Sequence, residues 1–331
     1  MRPRVSIAVL SLIGATASAA GAHDTPTGAP AGLRVLAGAG TSGFSDGCGA
    51  EARFNKPIRL APFGVDAVLV ADIFNHALRV VSKDGCVRTL AGAPERKGHQ
   101  DGLASQARFA SPHGVAVSDA GVIAVPEAEN HTIRLLKPAG KDGYLVSTFA
   151  GTPGKSGLAD GPLAESLLSS PHAALFGRDG ALYTLDIGNA RLRRIHNGRI
   201  ETLAGEEKGT LVYPMDIAWG PRGELLVVDA GSNRLLRWSE SPGVETVMLQ
   251  GELKTPHGVC TGPDGTIYVA DMKTHRVLAI DAKGAVRAVA GTGEAGSGPS
   301  ELNRPAAVLA HAGLLWIADL DNHRISVLPL H

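Results

Sequence analysis

The stretch "PHGVCTGPDGTIYVAD", residues 256–271, places a proline and a histidine before one short apolar run, and it ends a second run in aspartate. The turn sequence Gly-Pro-Asp-Gly separates the two runs. Short apolar runs on either side of such a turn are typical of paired antiparallel β-strands. The stretch therefore predicts the hairpin that begins a β-sheet.

The same arrangement occurs six times along the 331-residue chain. The acid follows the proline after 15 residues in five units and after 14 residues in the sixth. The prolines are Pro57, Pro112, Pro171, Pro214, Pro256 and Pro305. The acids are Asp72, Glu127, Asp186, Asp229, Asp271 and Asp319. Self-similarity at a regular period is the signature of a repeat fold.

Each unit continues with a third apolar run, such as "NHALRVV", and most have a fourth that ends in glycine, such as "RTLAG". Four short strands per unit predict an all-β fold, a six-bladed β-propeller of four-stranded antiparallel blades. The sixth unit lacks a fourth strand, whereas residues 33–38, "LRVLAG", are a fourth strand without a preceding unit. We therefore expect the N-terminal strand to complete the last blade and close the ring.

The N-terminus predicts export. Residues 1–22 contain two arginines, an apolar stretch and then small residues, which is the layout of a secretory signal peptide with cleavage after Ala19 or Ala22. Residues 23–32 are rich in proline and glycine and predict a flexible lead-in, and residues 33–331 predict a single propeller domain. No later apolar run is long enough to span a bilayer. We expect a secreted or periplasmic protein.

Composition excludes some partners. The 32 basic residues balance 32 acidic ones, so the chain has no net attraction to nucleic acid or to an anionic membrane. The three cysteines are few for an exported protein, so we expect the apolar core rather than disulfides to hold the fold. We expect a monomer whose partner is a small molecule or a peptide.

The residue after each proline begins the innermost strand of its blade and should face the central channel. These six ring residues are Ile58, His113, His172, Met215, His257 and Ala306. Imidazole nitrogens and a thioether are ligands for Zn or Cu, so His113, His172 and His257 are candidate metal ligands. Alternatively, these side chains fill a wet channel and form hydrogen bonds to water and backbone. The sequence leaves both interpretations open.

Three connections between units are long. They run for 19, 20 and 20 residues into the first three blades, against 9, 5 and 14 into the others. Each long loop carries an Asp-Gly pair, at Asp46, Asp101 and Asp160. Loops on a rigid scaffold often bind ligands, so we expect these loops and aspartates to wall a pocket at the channel mouth. The alternative is a cover over apolar blade tops.

Other recurring polar residues favour a structural role. We expect the acids to cap the turns that follow them. We expect Arg79, Arg134, Arg193 and Arg237 to pair with those acids, and His76, His131 and His323 to bind turns. Two residues are candidates for catalysis: Glu127, the one glutamate among the six acids, and Arg59, next to the ring.

The segments "GFSDGCGAEARFNKP", "FNHALRVV" and "TLAG" resemble the NHL-repeat family, named for Asn-His-Leu in its third strand. The resemblance covers residue 33 to the end. The Pro-His pairs also resemble those of the peptidylglycine amidating lyase propeller, which implies a catalytic zinc on His113, His172 and His257. A fainter similarity, in "GPDGTIYVAD", is to the streptogramin-type lyases.

The sequence therefore predicts an exported propeller that binds a small ligand or peptide at the channel mouth, on the face of the long loops. Its candidate contacts are the ring residues His113, His172, Met215 and His257, with the three loop aspartates. The alternative is a metal-dependent lyase or hydrolase, with Zn or Cu on the three histidines and Glu127 or Arg59 assisting.

Overall fold

Six antiparallel sheets follow one another along the chain. The computed structural model describes residues 32–205, 207 and 210–330, so the predicted signal peptide and nearly all of the lead-in lie outside the described residues. The innermost strand of each sheet contacts the innermost strands of both neighbouring sheets, and the first contacts the last. The sheets are therefore the blades of a closed six-bladed propeller, as predicted.

The four main strands run in chain order from the channel outwards in blades 1 to 5, and in blade 6 the outermost strand comes from the N-terminal part of the chain. Blade 1 contains Pro57–Pro62, Ala67–Asp72, Ala77–Ser82 and Cys86–Gly92. Blade 2 contains Ala116–Val117, Ile123–Glu127, Thr132–Pro138 and Tyr144–Ala150. Blade 3 contains Pro171–Phe176, Leu182–Asp186, Arg191–His196 and Arg199–Ala204. Blade 4 contains Pro214–Trp219, Leu225–Asp229, Arg234–Ser239 and Gly243–Thr246. Blade 5 contains Pro256–Thr261, Ile267–Asp271, Arg276–Ile280 and Val286–Ala290. Blade 6 contains Pro305–His311, Leu314–Asp319, Arg324–Pro329 and Arg34–Ala37.

The helices are short 3-10 turns in the connections. They are Gly49–Glu51, Ile73–Asn75, Pro94–Arg96, Gly140–Asp142, Leu163–Glu165, Ile187–Asn189, Met272–Thr274 and Leu320–Asn322. Within the described part of the chain, none of the helices has the length and apolar composition needed to cross a bilayer.

The last blade closes the ring as predicted. Arg34–Ala37 pairs antiparallel with Arg324–Pro329, with Arg34 opposite Val327. Leu36 and Ala37 of this closing strand are buried. They pack in an apolar cluster that contains Trp316 and residues of blade 1, so the strand joins the last blade to the first.

Blades 1 to 3 have a fifth, outermost strand, which corrects the prediction of four strands in every blade. These two-residue strands are Gly47–Cys48, Gly102–Leu103 and Gly161–Pro162. Each lies in one of the long loops, directly after its aspartate. The long loops therefore fold back along the outer edges of their own blades.

The aspartates explain how these loops are held. Asp46 accepts hydrogen bonds from the backbone and hydroxyl of Thr89, at 3.0 and 2.9 Å, and pairs with Arg79 at 2.8 Å. Asp101 and Asp160 repeat these contacts with the arginine and threonine of their own blades. A loop aspartate thus links the buried arginine to the outer strand.

The periodic acids hold the loop before the proline. Each accepts a hydrogen bond from the backbone N–H two residues before that proline; Asp72, for example, binds the N–H of Asn55 at 2.7 Å. The acids also bind the turn that follows them. Five of them accept a hydrogen bond from the side chain three residues later, as Asp72 does from Asn75 at 2.7 Å, and Asp229 accepts the backbone N–H of Gly231 at 3.2 Å. In the turns that are 3-10 helices, no side chain caps the backbone at the N-terminus, so the predicted turn contact is made there through side chains.

Three of the four predicted arginine pairs are confirmed. Arg79, Arg134 and Arg193 are fully buried and lie 3.0, 3.0 and 2.8 Å from the acids of their blades. Arg237 instead pairs with Glu245 at 2.7 Å on the surface of blade 4. The acid of blade 4, Asp229, is instead bound by the backbone N–H groups of Val212, Tyr213 and Gly231 and lies 3.9 Å from Arg234.

The third-strand histidines connect neighbouring blades. His76, His131, His275 and His323 adopt a left-handed backbone conformation. The Nδ1 atom of each accepts the backbone N–H of the residue before the next proline, at 3.0–3.2 Å. In blade 4, the side-chain oxygen of Asn233 likewise accepts the backbone N–H of Thr255, at 2.8 Å. We call each of these bonds an inter-blade latch.

The junction between blades 3 and 4 has no latch in the described structure. Ala190 occupies the latch position and has no side-chain acceptor. The corresponding N–H, on Tyr213, binds Asp229 of its own blade at 2.7 Å instead. This junction therefore differs from the other five.

A disulfide joins Cys48 to Cys86, and Cys260 is free and buried. The bond connects the fifth strand of blade 1 to its neighbouring strand. Sequence analysis did not anticipate a disulfide, because three widely spaced cysteines do not reveal which pair meets. Since it fastens only one blade edge, the apolar core remains the main source of stability.

Candidate functional site

The ring residues lie where each innermost strand begins. In five blades the strand register shifts between the proline and the residue two places later, so the ring residue forms a β-bulge. A bulge adds a residue to one strand and re-aims its side chain. The repeat therefore supplies one redirected side chain per blade near the channel axis.

Two ring histidines stack on each other. The ring centroids of His113 and His172 lie 4.0 Å apart, with an angle of 22° between the planes. His113 Nδ1 lies 3.0 Å from the carbonyl of Ser111, whereas Nδ1 of His172 has no hydrogen-bond partner among the described residues. Burial lowers the pKa of His113 to about 4 and lowers that of His172 well below its ordinary value. Both rings are therefore neutral near pH 7.

His257 is held separately. Its Nδ1 lies 2.8 Å from the carbonyl of Ala306 in the next blade. A carbonyl only accepts, so this nitrogen donates and Nε2 is left as an acceptor. Burial lowers the pKa of His257 to about 3, and the positive charge of Arg59 acts in the same direction.

Arg59 crosses the channel from blade 1 to the opposite blade 4. Its NH1 atom lies 2.6 Å from Oδ2 of Asp216, and NH2 donates to the carbonyl of Met215 at 2.9 Å. Asp216 also accepts the backbone N–H groups of Ile217 and Val259, at 2.9 and 3.0 Å. Both side chains are buried. The channel therefore contains one ion pair with a fixed geometry.

Sequence reasoning missed Asp216, although the repeat contains a signal for it. The residues two places after the six prolines are Arg59, Gly114, Ala173, Asp216, Gly258 and Ala307. Only Arg59 and Asp216 are charged among these six residues; they lie in opposite blades and their charges are opposite in sign. At Gly114 and Gly258 a Cβ atom would lie 2.2 and 2.6 Å from carbonyl oxygens of the next blade, so these positions stay small.

The channel widens beyond this ion pair into a cavity of about 310 Å³. Each blade contributes at least one aliphatic side chain to its wall, among them Leu60, Val115, Leu175, Ile217, Val259 and Val308, and the aromatic residues Phe176 and Trp219 also line it. Arg59 and Asp216 line its inner end. Because its walls come from the later parts of the innermost strands, the cavity lies on the far side of the ring from the long loops.

The structure does not group the three histidines as metal ligands. Within the described residues, no three His, Cys, Asp or Glu side chains are placed so that they could hold one metal ion. Two of the rings face each other in a stack, which is not an arrangement that directs their nitrogens at a common point. The assignment of Zn or Cu to His113, His172 and His257 stays a prediction from the sequence.

The other predicted site residues lie away from the channel. Glu127 is fully buried, accepts the N–H of Ala110 at 2.8 Å and pairs with Arg134 at 3.0 Å, as the aspartates do in other blades. Burial raises its pKa to about 7, against the opposing effect of Arg134. Asp46, Asp101 and Asp160 lie at the outer blade edges in the contacts described above. The structure therefore brings together only Arg59 and the ring residues.

The chain is similar to known proteins at two levels. The family model of the NHL repeat matches residues 253–280. The NHL repeat-containing protein 2 of Bos taurus is 37% identical over 117 residues, which are 34% of this chain and 15% of that protein. The chain thus spans only a small part of that relative.

Solved structures match over nearly the whole propeller. An auxiliary nutrient binding protein from Bacteroides thetaiotaomicron VPI-5482 gives a TM-score of 0.67 at 13% identity, covering 89% of this chain and 75% of that one. A streptogramin B lyase gives 0.58 at 14% identity, covering 87% and 97%. At such low identity these similarities establish the fold and not the activity.

Proposed function

Because this chain is an NHL-repeat β-propeller, we propose that it is an exported binding protein that holds one small molecule in its central channel. The observation that carries the proposal is the channel cavity, with apolar walls from all six blades and the buried Arg59–Asp216 ion pair at its inner end. Small-molecule sites commonly combine an apolar lining with a few fixed polar groups.

The size and polarity of the cavity indicate the ligand. Its volume of about 310 Å³ lies at the lower end of the usual range for small-molecule pockets, which favours a compact molecule over a peptide. Nε of Arg59 is buried without an acceptor among the described residues. An unsatisfied buried donor costs about 1–3 kcal/mol, so a ligand that presents an acceptor there gains that energy. We expect an apolar body with one anionic or carbonyl group.

Export is part of the proposal. The signal-peptide pattern in residues 1–22 supports it, as does the Cys48–Cys86 disulfide, because disulfides persist mainly in oxidising compartments. The sequence predicted that the long loops form the walls of the binding site. The short strands within these loops lie at the outer blade edges. We therefore propose the cavity beyond the ring as the site.

A fluorescence titration tests the binding site. The probe is anilinonaphthalene sulfonate, which has an apolar body and one anionic acceptor. We expect one equivalent to bind the parent protein and affinity to fall by about tenfold or more in Ala174→Phe, because the new ring fills the cavity. Ala164→Phe, on an exposed turn of the same blade, is the matched control and should bind like the parent.

Equal binding by all three proteins, or a requirement for several equivalents of probe, would contradict the proposed site. If Ala174→Phe does not fold, Val117→Phe fills the same cavity from blade 2. Circular dichroism shows whether each variant is folded before it is titrated.

A further inference from the structure

A second cavity, the blade 3–4 groove, lies outside the channel. It has a volume of about 720 Å³ and lies between the turns that follow the innermost strands of blades 3 and 4. It opens on the face opposite to the latches and the long loops. This volume falls within the usual range of about 300–1,000 Å³ for small-molecule sites.

The groove concentrates aromatic side chains that are scarce elsewhere. The chain has only three tryptophans and four tyrosines, yet Trp219, Trp238 and Tyr183 all line this groove. The third tryptophan, Trp316, is fully buried. Both partly exposed tryptophans of the protein are therefore found in one place.

One of the two tryptophans is firmly held in position. Trp219 packs edge to face on the buried Tyr183, with centroids 5.6 Å apart. The indole N–H of Trp219 donates to the carbonyl of Phe176 at 3.0 Å. A ligand would thus meet an indole that loses little freedom on binding, which favours affinity.

The polar side chains of the groove offer both donors and acceptors. Arg178 and Arg222 are exposed and form no ion pair within the described part of the chain. Asp179, Glu224 and Glu240 supply carboxylates along the same lining. Two positive and three negative side chains leave a net charge of −1, which does not attract a polyanion.

We propose that the blade 3–4 groove binds a neutral oligosaccharide. A pyranose ring has an apolar face that can lie on an indole, and its hydroxyl groups both donate and accept, which matches arginines and carboxylates around aromatic surfaces. The volume accommodates more than one sugar unit. The overall composition does not reveal this site, because aromatic residues are only 4% of the chain although three of them line the groove.

The missing latch at Ala190 is not part of this site, because the latches lie on the face opposite to the groove. On the groove side, the indole N–H of Trp219 in blade 4 binds the carbonyl of Phe176 in blade 3 and joins the two blades directly.

Tryptophan fluorescence tests this site directly. The probes are neutral hexasaccharides of β-linked glucose, xylose, mannose and N-acetylglucosamine and of α-linked glucose, with an oligogalacturonate as the anionic comparison. We expect at least one neutral sugar to shift the emission, and Trp238→Ala to weaken binding by about tenfold or more. Arg222→Ala, in an exposed turn, should weaken it without affecting the fold.

The control is Tyr213→Ala, which removes an exposed aromatic side chain on the opposite face and should leave binding unchanged. Trp219 lines the channel cavity as well as the groove, so the second control is the channel variant Val117→Phe in blade 2, which does not line the groove. It should bind the sugar normally, which separates this site from the proposed channel site. The proposal is overturned if no neutral sugar shifts the emission at about 10 mM. It is equally overturned if the oligogalacturonate binds more tightly than every neutral sugar, or if Trp238→Ala and Arg222→Ala both bind like the parent.

Discussion

At the residue scale, three buried arginines hold much of the polar interior. Arg79, Arg134 and Arg193 are each fully buried, and each joins the acid of its blade, a loop aspartate and backbone carbonyls. A buried charge is tolerated only when it is paired and hydrogen-bonded. The long loops are thus fixed by the same side chains that neutralise the acids.

Replacing one of these arginines should be strongly destabilising. Arg134→Met leaves Glu127 buried without its partner, and we expect the free energy of unfolding to fall by about 3–5 kcal/mol. The matched control is Arg237→Met, whose pair with Glu245 is about two-fifths exposed, so the loss should stay within about 1 kcal/mol. Denaturant unfolding measures both, and losses of similar size would show that burial is not the deciding factor.

At the element scale, the latches determine how one blade meets the next. A neutral imidazole accepts the backbone N–H, whereas a protonated ring has no free lone pair for it. Burial lowers the pKa of His76, His131, His275 and His323 below the ordinary 6.5. Asn233 shows that an amide oxygen performs the same task without titrating.

The latches therefore predict a pH dependence with a definite sign. Because each folded-state pKa is lowered, the histidines contribute stability that is complete above about pH 6.5 and is lost as the pH falls towards the folded-state pKa. We expect the quadruple variant with asparagine at these four positions to match the parent at about pH 8 and to exceed it in stability at about pH 5.

Thermal unfolding of the two proteins at both pH values measures this difference. The acids of the blades are common to both proteins, so their own titration cancels in the comparison. A stability difference that does not change with pH would mean that the histidines are not latches in the neutral form.

At the scale of the whole molecule, closure of the ring depends on one short strand. Leu33 and Leu36 are buried next to blade 6, and burying a leucine contributes about 1.5–3 kcal/mol. Loss of both therefore costs about 3–6 kcal/mol, which reaches the lower end of the total stability of a typical domain, about 5–15 kcal/mol. Removing the strand also exposes the edge of Arg324–Pro329.

A chain that begins at residue 39 should therefore lose cooperative unfolding or aggregate, whereas a chain that begins at residue 32 should unfold like the parent. Calorimetry and size-exclusion chromatography distinguish the outcomes. Equal transition temperatures for the two truncated chains would show that the closing strand is dispensable.

The sequence predicted the fold well because the repeat is periodic. The proline-to-acid spacing located all six hairpins, and the unmatched strand at residues 33–38 predicted the closure. It did not predict the fifth strands, since Gly47–Cys48 is held by contacts of Asp46 with side chains distant in sequence. A local sequence pattern does not show which residues far apart in the chain will be in contact.

The site was predicted only in part. The ring position of the histidines, with Arg59 next to the ring, follows from the repeat, but the pairing of Arg59 with Asp216 depends on blades 1 and 4 being opposite. The channel cavity and the blade 3–4 groove depend on side-chain shapes at several blades together. The Cys48–Cys86 bond likewise required the strand pairing to be known.

Closure has a consequence for synthesis. The strand Arg34–Ala37 is made before the six hairpins, and its partner Arg324–Pro329 is made after them, so the ring cannot finish folding until residues 324–329 have been synthesised. A prematurely terminated product keeps an unpaired sheet edge at each end of the break, which exposes it to proteases and aggregation. Protection of the sheet edges therefore requires that all six blades have been synthesised.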